Sequence, residues 1–439
     1  MPNPSEFEGM TRRVAPQSKD RPEFHHVRFD QRFLFVGVIL CLGGCAAPLM
    51  GPGHMGTAVM TVGTPLPPPP PPSGRGIALL APLTGVNADL GPALVDAAKL
   101  GLGTGTVPPL TVIDTGSTPQ GAAAAAQQAI ADGAGLILGP LTDGEANSIA
   151  PVTEPAHVDV LAFTSDPQVA RPGLWTLGVT PAQQVIALAQ AARADSHGQI
   201  AGLLPLTPLG QAMEQALTAI APAAPIQLYT GFAGMNGAVQ ILSDYANRRG
   251  RIDARIKQLV AQHTVAALAE AARLARQPVP PPPFNALLIA ETGAGLAELA
   301  SLLPYYDVDP GSVLILGPGL WAADPAAVAA AGFSGALYAA PDPAAAADFV
   351  SRYELAFGSL PPPLAAVAFD AGGIARLATQ AGGIDASALT NPAGFGGADG
   401  VLALQPDGSV RRGLAVYRVR PGGAQIIRPA PQALPAPGI

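Results

Sequence analysis

The sequence predicts an α/β chain of two doubly wound, Rossmann-like lobes with parallel sheets, and three observations carry that expectation. Short, continuous apolar runs alternate with alanine-rich stretches of helical length from Arg75 onward. Strands that are apolar on both faces belong to parallel sheets covered by helices on each side. At least nine such runs occur, enough for two sheets rather than one. Turn and cap residues punctuate the alternation where helices should start and stop.

The elements follow in order. Ile77-Ala-Leu-Leu-Ala-Pro-Leu83 reads as a buried strand, Thr84 to Leu90 as a loop, and Pro92 to Leu102 as a helix. Leu110-Thr-Val-Ile113 is a second strand. Thr118-Pro119 then supplies an N-cap and a proline at the first helical position, and Gly133 stops the helix that runs to Ala131. Leu136-Ile-Leu138 leads into Gly139-Pro140, and Val160-Leu-Ala-Phe163 follows. In the second half, helix Pro181 to Ala194, strand Ile200 to Leu204, helix Gly210 to Ile220 and strand Ile226 to Tyr229 keep the rhythm. Ala238 to Arg276 reads as mostly helical, and Pro278 to Pro283 is a proline-rich run before strand Phe284 to Ile289. Val313 to Leu316, a helix near Ala326 and strand Gly335 to Tyr338 close the second lobe. Gly400 to Val419 is expected to form a hairpin around Asp407-Gly408, a two-residue turn signal between alternating strands.

Composition limits the function classes. The 439 residues are 49% hydrophobic and only 13% charged, with a formal net charge of -7. Twenty-four Lys and Arg against 31 Asp and Glu leave no basic excess for phosphates, so no nucleic-acid partner is expected. The two cysteines, Cys41 and Cys45, share one apolar run, which excludes a cysteine-based metal site or a disulfide framework elsewhere. The six histidines lack an i, i+4 pair, and no metal or cofactor is expected. Gly-x-Ser-x-Gly, His-Glu-x-x-His and a phosphate loop ending in Gly-Lys-Ser/Thr are missing from the sequence, so no enzyme is expected.

The segment Arg32 to Cys45 combines a positive charge, a short apolar stretch and small residues before a cysteine. It is too short to span a bilayer, which takes about 20 apolar residues, and reads as an export signal. Leu42-Gly43-Gly44-Cys45 resembles the bacterial lipobox. That resemblance implies an acylated Cys45, a mature protein anchored in a membrane and, with Ala46 next to it, the outer membrane. Residues 1 to 31 form an unusually long and partly acidic leader, which a translation start at Val27 would shorten to an ordinary one. Pro67 to Pro72 favour polyproline II at about 3.1 Å per residue, a stiff spacer of roughly 19 Å.

Several stretches resemble the type I periplasmic binding proteins of the leucine-binding kind. Ile77 to Gly85 looks like their opening strand and ligand loop, Gly139-Pro140-Leu141-Thr142-Asp143 like a second ligand loop, and Ala162-Phe163-Thr164-Ser165 like a third. Within the family, the likeness to penicillin-binding protein activators rests on Leu303 to Asp309, Leu316 to Trp321, Ala339 to Pro343, Tyr353 to Gly358 and Phe369-Asp370-Ala371. The resemblance spans residues 75 to 422. It implies two lobes joined by three hinge crossovers, closing on a cleft. The implied organisation is a leader at 1–44, a lipid anchor and tether at 45–74, lobe one at 75–178 plus 341–390, lobe two at 179–340 plus 391–422, and a disordered tail at 423–439.

By position, the residues implied to line the cleft are Thr84, Thr142, Asp143, Thr164 and Ser165 from the first lobe, and Glu291 and Gly319 from the second. The chain departs from the amino-acid binders of the family at two of them. Where they hold the ligand carboxylate with a serine, this chain has Asp143, and where an acid pairs with the ammonium it has Gly319. Tight binding of a branched-chain amino acid is therefore not expected. The functional expectation is a non-catalytic, lipid-anchored periplasmic protein that binds a penicillin-binding protein and regulates cell-wall synthesis. The alternative is a receptor delivering an amino acid or other small solute to an ABC permease.

Overall fold

A computed structural model describes residues 76–104, 108–381 and 383–434. The expectations for residues 1–74, including the leader, Cys45 and the proline spacer, lie outside the described residues.

The first lobe is built on a five-stranded parallel sheet of β1 (Gly76–Ala81), β2 (Leu110–Asp114), β3 (Ala134–Leu138), β4 (Asp159–Ala162) and β5 (Leu174–Thr176), in the order β2-β1-β3-β4-β5. Alternation along β1 divides its side chains between two core layers: Ile77, Leu79 and Ala81 enter one, Ala78 and Leu80 the other. The helices α1 (Gly91–Leu102), α2 (Pro119–Ala131) and α3 (Asp143–Ala156) connect these strands. Thr118 caps α2 by accepting the Gly121 N–H, ahead of Pro119, as its sequence signature predicts. Helix α3 was not legible as a helix, because Pro151 and Pro155 lie inside it.

The second lobe opens with α4 (Pro181–Ala194), β6 (Ile200–Pro205), α5 (Pro208–Ile220), β7 (Ile226–Tyr229) and α6 (Gly231–Leu242). A helical hairpin of α7 (Arg251–Val260) and α8 (Val265–Ala275) follows, then β8 (Ala286–Ile289), α9 (Gly293–Tyr305), β9 (Leu314–Gly317), α10 (Pro325–Val328) and β10 (Leu337–Ala340). The chain then returns to the first lobe through α11 (Pro343–Phe357), α12 (Ala365–Gln380) and α13 (Ala386–Leu389). Phe349, Tyr353 and the apolar face of α12 complete the layer that covers one side of the first sheet. β11 (Phe395–Gly397), β12 (Gly400–Leu404) and β13 (Val410–Arg412) form a three-stranded antiparallel sheet, and β14 (Ala415–Arg420) and β15 (Gly423–Arg428) extend the second sheet. That sheet has the order β15-β14-β10-β9-β8-β6-β7, parallel from β7 to β10 and antiparallel beyond.

The two-lobed, doubly wound α/β fold expected from the sequence is the fold observed. The chain passes between the lobes three times, between Leu177 and Val179, between Ala340 and Phe349, and between Val410 and Leu414, as the core layers these residues join require. Asp342 fastens the second passage: it caps α11 through the Ala344 N–H and accepts the Ala430 N–H at 3.0 Å.

Three expectations near the C-terminus are corrected. Residues 395–412 belong with the first lobe, since Phe395, Leu402, Leu404 and Val410 are buried in its core, and only β14 and β15 rejoin the second. The hairpin ends at Arg412 rather than Val419, and its loop is the five residues 405–409, not a two-residue turn. Gly408 lies at that loop with φ +89°, and a Cβ there would meet the Arg171 backbone at 2.2 Å, so the loop packs directly on the first lobe. Residues 423–428 are a strand, not a disordered tail: Pro421-Gly422 turns the chain back on β14.

Candidate functional site

Ligands of open parallel sheets bind at the C-terminal ends of the strands. On the first lobe, the loops after β1 and β2 are locked together there. Asp114, the last residue of β2, accepts the Thr84 hydroxyl at 2.6 Å and the backbone N–H groups of Leu83, Thr84 and Gly116. Burial opposes its charge, but the bonds from Thr84, Gly116 and Leu83 outweigh that and hold the carboxyl below its ordinary value. Ser117 donates to the Thr84 carbonyl at 2.6 Å and accepts the Asn87 N–H. The Thr84 hydroxyl, implied as a ligand group, is thus a brace within the loop.

Thr142 caps α3, and Glu145 reaches back to it. Glu145 N–H donates to the Thr142 hydroxyl, while the Thr142 N–H and hydroxyl both donate to Glu145 Oε2 at 3.0 and 2.9 Å. A helix N-terminus offers free N–H donors and a partial positive charge to an anion. Here the chain's own acids, Asp143 and Glu145, occupy the first turn. Asp143 is exposed, at the first helical position. After β4, the buried Thr164 accepts the Asp166 N–H at 3.1 Å, and Ser165 is exposed. Residues 84, 142–143 and 164–165 thus follow β1, β3 and β4, which are adjacent in the sheet.

On the second lobe, Glu291 and Gly319 follow the neighbouring strands β8 and β9. The half-buried Glu291 accepts a short hydrogen bond from the Tyr229 hydroxyl at the end of β7, and its carbonyl accepts the Trp321 indole N–H at 2.9 Å. Burial, and then the bond and charge of Glu291, push the Tyr229 phenol well above its ordinary value, so it acts as a donor. The Gly319 N–H donates to Gln184 Oε1 at 2.7 Å. A Cβ at Gly319 would lie 2.9 Å from the Ala339 carbonyl and 3.1 Å from that Gln184 oxygen, so no side chain fits without displacement. Helices α6 and α9 start directly beyond Tyr229 and Glu291, and neither Thr230 nor Thr292 caps its helix through its side chain.

Exposed apolar side chains rim these loops: Val86 on the first lobe, Leu206, Phe232 and Leu320 on the second. Gln168 bridges the lobes, its Nε2 donating to Gln215 Oε1 at 3.3 Å. The arrangement is suited to holding a partner by hydrogen bonds and apolar contact. Among the described residues, no group of three or more His, Cys, Asp or Glu could hold a metal, and no helix is long and apolar enough to cross a membrane.

Sequence reasoning missed Asp114, Ser117, Tyr229 and Gln184. Asp114 and Tyr229 carried a signal, a polar residue closing an apolar strand, whereas Gln184 lies one turn inside α4 and carried none.

The family model described as periplasmic binding protein matches residues 76–424. No curated protein matches the chain. Solved structures with the same fold include a Rhodospirillum rubrum protein assigned to branched-chain amino acid ABC transport, at 19% identity and TM-score 0.57, covering 80% of this chain and 100% of that one. The C-domain of Haemophilus influenzae LpoA, a regulator of PBP1A, matches at 19% identity and TM-score 0.56 with the same coverages. A solute-binding protein of an ABC transporter from Rhodopseudomonas palustris BisB5, in complex with 3,4-dihydroxybenzoic acid, matches at 18% identity and TM-score 0.50, covering 83% and 99%.

Proposed function

The chain belongs to the periplasmic binding protein family, which implies a periplasmic location, and from that premise we propose a non-catalytic, lipid-anchored protein that acts on cell-wall synthesis by binding a membrane-bound synthase. One observation carries this reading against an amino-acid receptor. The α3 N-terminus, where a receptor of this fold would take the ligand carboxylate, carries the acids Asp143 and Glu145 in its first turn, and the Thr142–Glu145 capping box already engages the N–H groups of Thr142 and Glu145. Gly319 agrees, because its surroundings leave no space for the acidic side chain that would pair with an ammonium. The solved LpoA domain, a regulator of PBP1A, has the same fold. Cys45 supplies the anchor in this reading, and the proline spacer holds the domain away from the bilayer.

A second reading, a receptor for an ABC permease, is favoured by Glu291, whose carboxylate stands at a strand end and could meet a ligand ammonium or hydroxyl. Crosslinking in membranes followed by purification of the chain separates the two. Recovery of a penicillin-binding protein supports the first reading, and recovery of a permease overturns it.

A further inference from the structure

The hairpin of α7 and α8 is an appendage of the second lobe with a surface chemistry unlike that of the rest of the chain. Leu259, Ala267 and Ala271 form a small core of their own between the two helices, separate from the lobe's main layers. Its root is fixed by the buried Arg248, whose guanidinium donates to the carbonyls of Ser243, Pro280, Tyr306 and Asp307. Between residues 249 and 276 there are six basic side chains, Arg249, Arg251, Arg255, Lys257, Arg273 and Arg276, against Asp253 and Glu270. The segment is therefore net +4 in a chain that is -7 overall.

The outer face of α8 is apolar. Val265, Leu268, Ala269 and Ala272 recur at helical spacing opposite the buried Ala267 and Ala271, and all four are exposed, Val265 at 86% and Leu268 at 45%. Val260, at the end of α7, is exposed at 43% beside them in sequence. An aliphatic ridge on a segment of net +4 fits the boundary between headgroups and acyl chains of an anionic bilayer, with the ridge entering the apolar layer and the segment's cations meeting phosphates. Protein interfaces concentrate their energy in aromatic side chains, and the ridge has none.

We propose that the α7–α8 hairpin is a membrane-docking element that binds the surface of anionic phospholipid bilayers through Val265 and Leu268, with the basic side chains of the segment drawing it to the headgroups. It fixes the orientation of the domain on the bilayer and does not rest on acylation of Cys45.

The test uses the full chain with Cys41→Ala, Cys45→Ala and Ala269→Cys, so that a polarity-sensitive dye on position 269 reports only on the hairpin. Vesicles of phosphatidylethanolamine and phosphatidylglycerol are expected to shift the dye emission to the blue, and vesicles of phosphatidylcholine alone are not. At about 1 kcal/mol per basic residue near the surface, Arg255→Glu with Lys257→Glu should weaken binding by at least about 30-fold. Val265→Gln with Leu268→Gln, an independent variant on exposed positions, should weaken it too, with an unchanged circular dichroism spectrum. No shift on anionic vesicles, or a shift indifferent to both variants, overturns the proposal. Self-association without vesicles that the charge variant abolishes also overturns it, assigning the hairpin to a second copy of this chain.

Discussion

Arg412 and Asp370 meet as an ion pair, Nη1 to Oδ2 at 3.5 Å, with both side chains fully buried. Asp370, on α12, also accepts the Ala398 N–H at 2.6 Å, and Gly397 passes so close that a Cβ there would collide with its carboxylate. Arg412, at the end of β13, donates from Nη2 to the Leu177 carbonyl at 2.7 Å. The pair therefore ties α12 and the three-stranded sheet to the first interlobe passage. The neighbouring Trp175–Gln405 and Gln183–Val410 hydrogen bonds fasten the same junction.

Above about pH 7, where Asp370 is ionised, Arg412→Met should destabilise the domain by up to about 3–5 kcal/mol, because it leaves Asp370 buried without its cation. Urea unfolding measures the loss. A cost near zero would mean that the pair does not hold the junction together.

Stability should also depend on pH through this site. Burial raises the Asp370 carboxyl, Arg412 opposes the shift and Asp399 adds to it, and the value is pushed up to about 7. Unfolding returns the group to its ordinary 3.8. The folded state thus binds the extra proton, and the resulting stabilisation is full below about pH 4 and lost as pH rises through about 7. Relative to Asp370→Asn, the wild-type chain should lose stability over that window in urea titrations; parallel curves would contradict this.

Tyr229→Phe should cost about 1.5–3 kcal/mol, since the half-buried Glu291 carboxylate loses a hydrogen-bond donor. Several phenols are held above pH 10 by burial, and ultraviolet titration of the wild-type chain should find among them one that is absent from the variant, as the burial of Tyr229 and its bond to Glu291 require.

Gly319→Ala should destabilise the domain by about 1–3 kcal/mol through overpacking against the Ala339 carbonyl and Gln184, read as a lowered thermal midpoint. An unchanged midpoint would show that the loop after β9 has room for a side chain.

The doubly wound core was legible because its strands are apolar on both faces and its helices begin at explicit signals. Thr-Pro pairs start α2, α4 and α5. Legibility failed where packing overrides local pattern. Helix α3 contains two prolines, and β11 to β13 are short strands whose partner is α12 rather than either large sheet. The candidate residues fell at strand ends, as position implied, but position could not show how each side chain is employed. Thr84 braces a loop, Thr142 caps a helix and Glu291 answers Tyr229 across the end of β6. Those partners are 30 and 62 residues away for Thr84 and Glu291, beyond any local signal.

Calorimetry decides whether this domain is a receptor for branched-chain amino acids. Residues 75–439 would be unfolded, freed of any carried ligand, refolded and titrated with leucine, isoleucine and valine. A charge-assisted hydrogen bond contributes about 1.5–3 kcal/mol, so with Asp143 in place of the carboxylate contact, no acid at Gly319 and Glu291 engaged by Tyr229, binding forfeits roughly 3–6 kcal/mol, about a hundred- to ten-thousand-fold in affinity. No heat of binding is expected at micromolar concentrations. Micromolar or tighter binding of any of the three would contradict this expectation and make the permease receptor the correct reading.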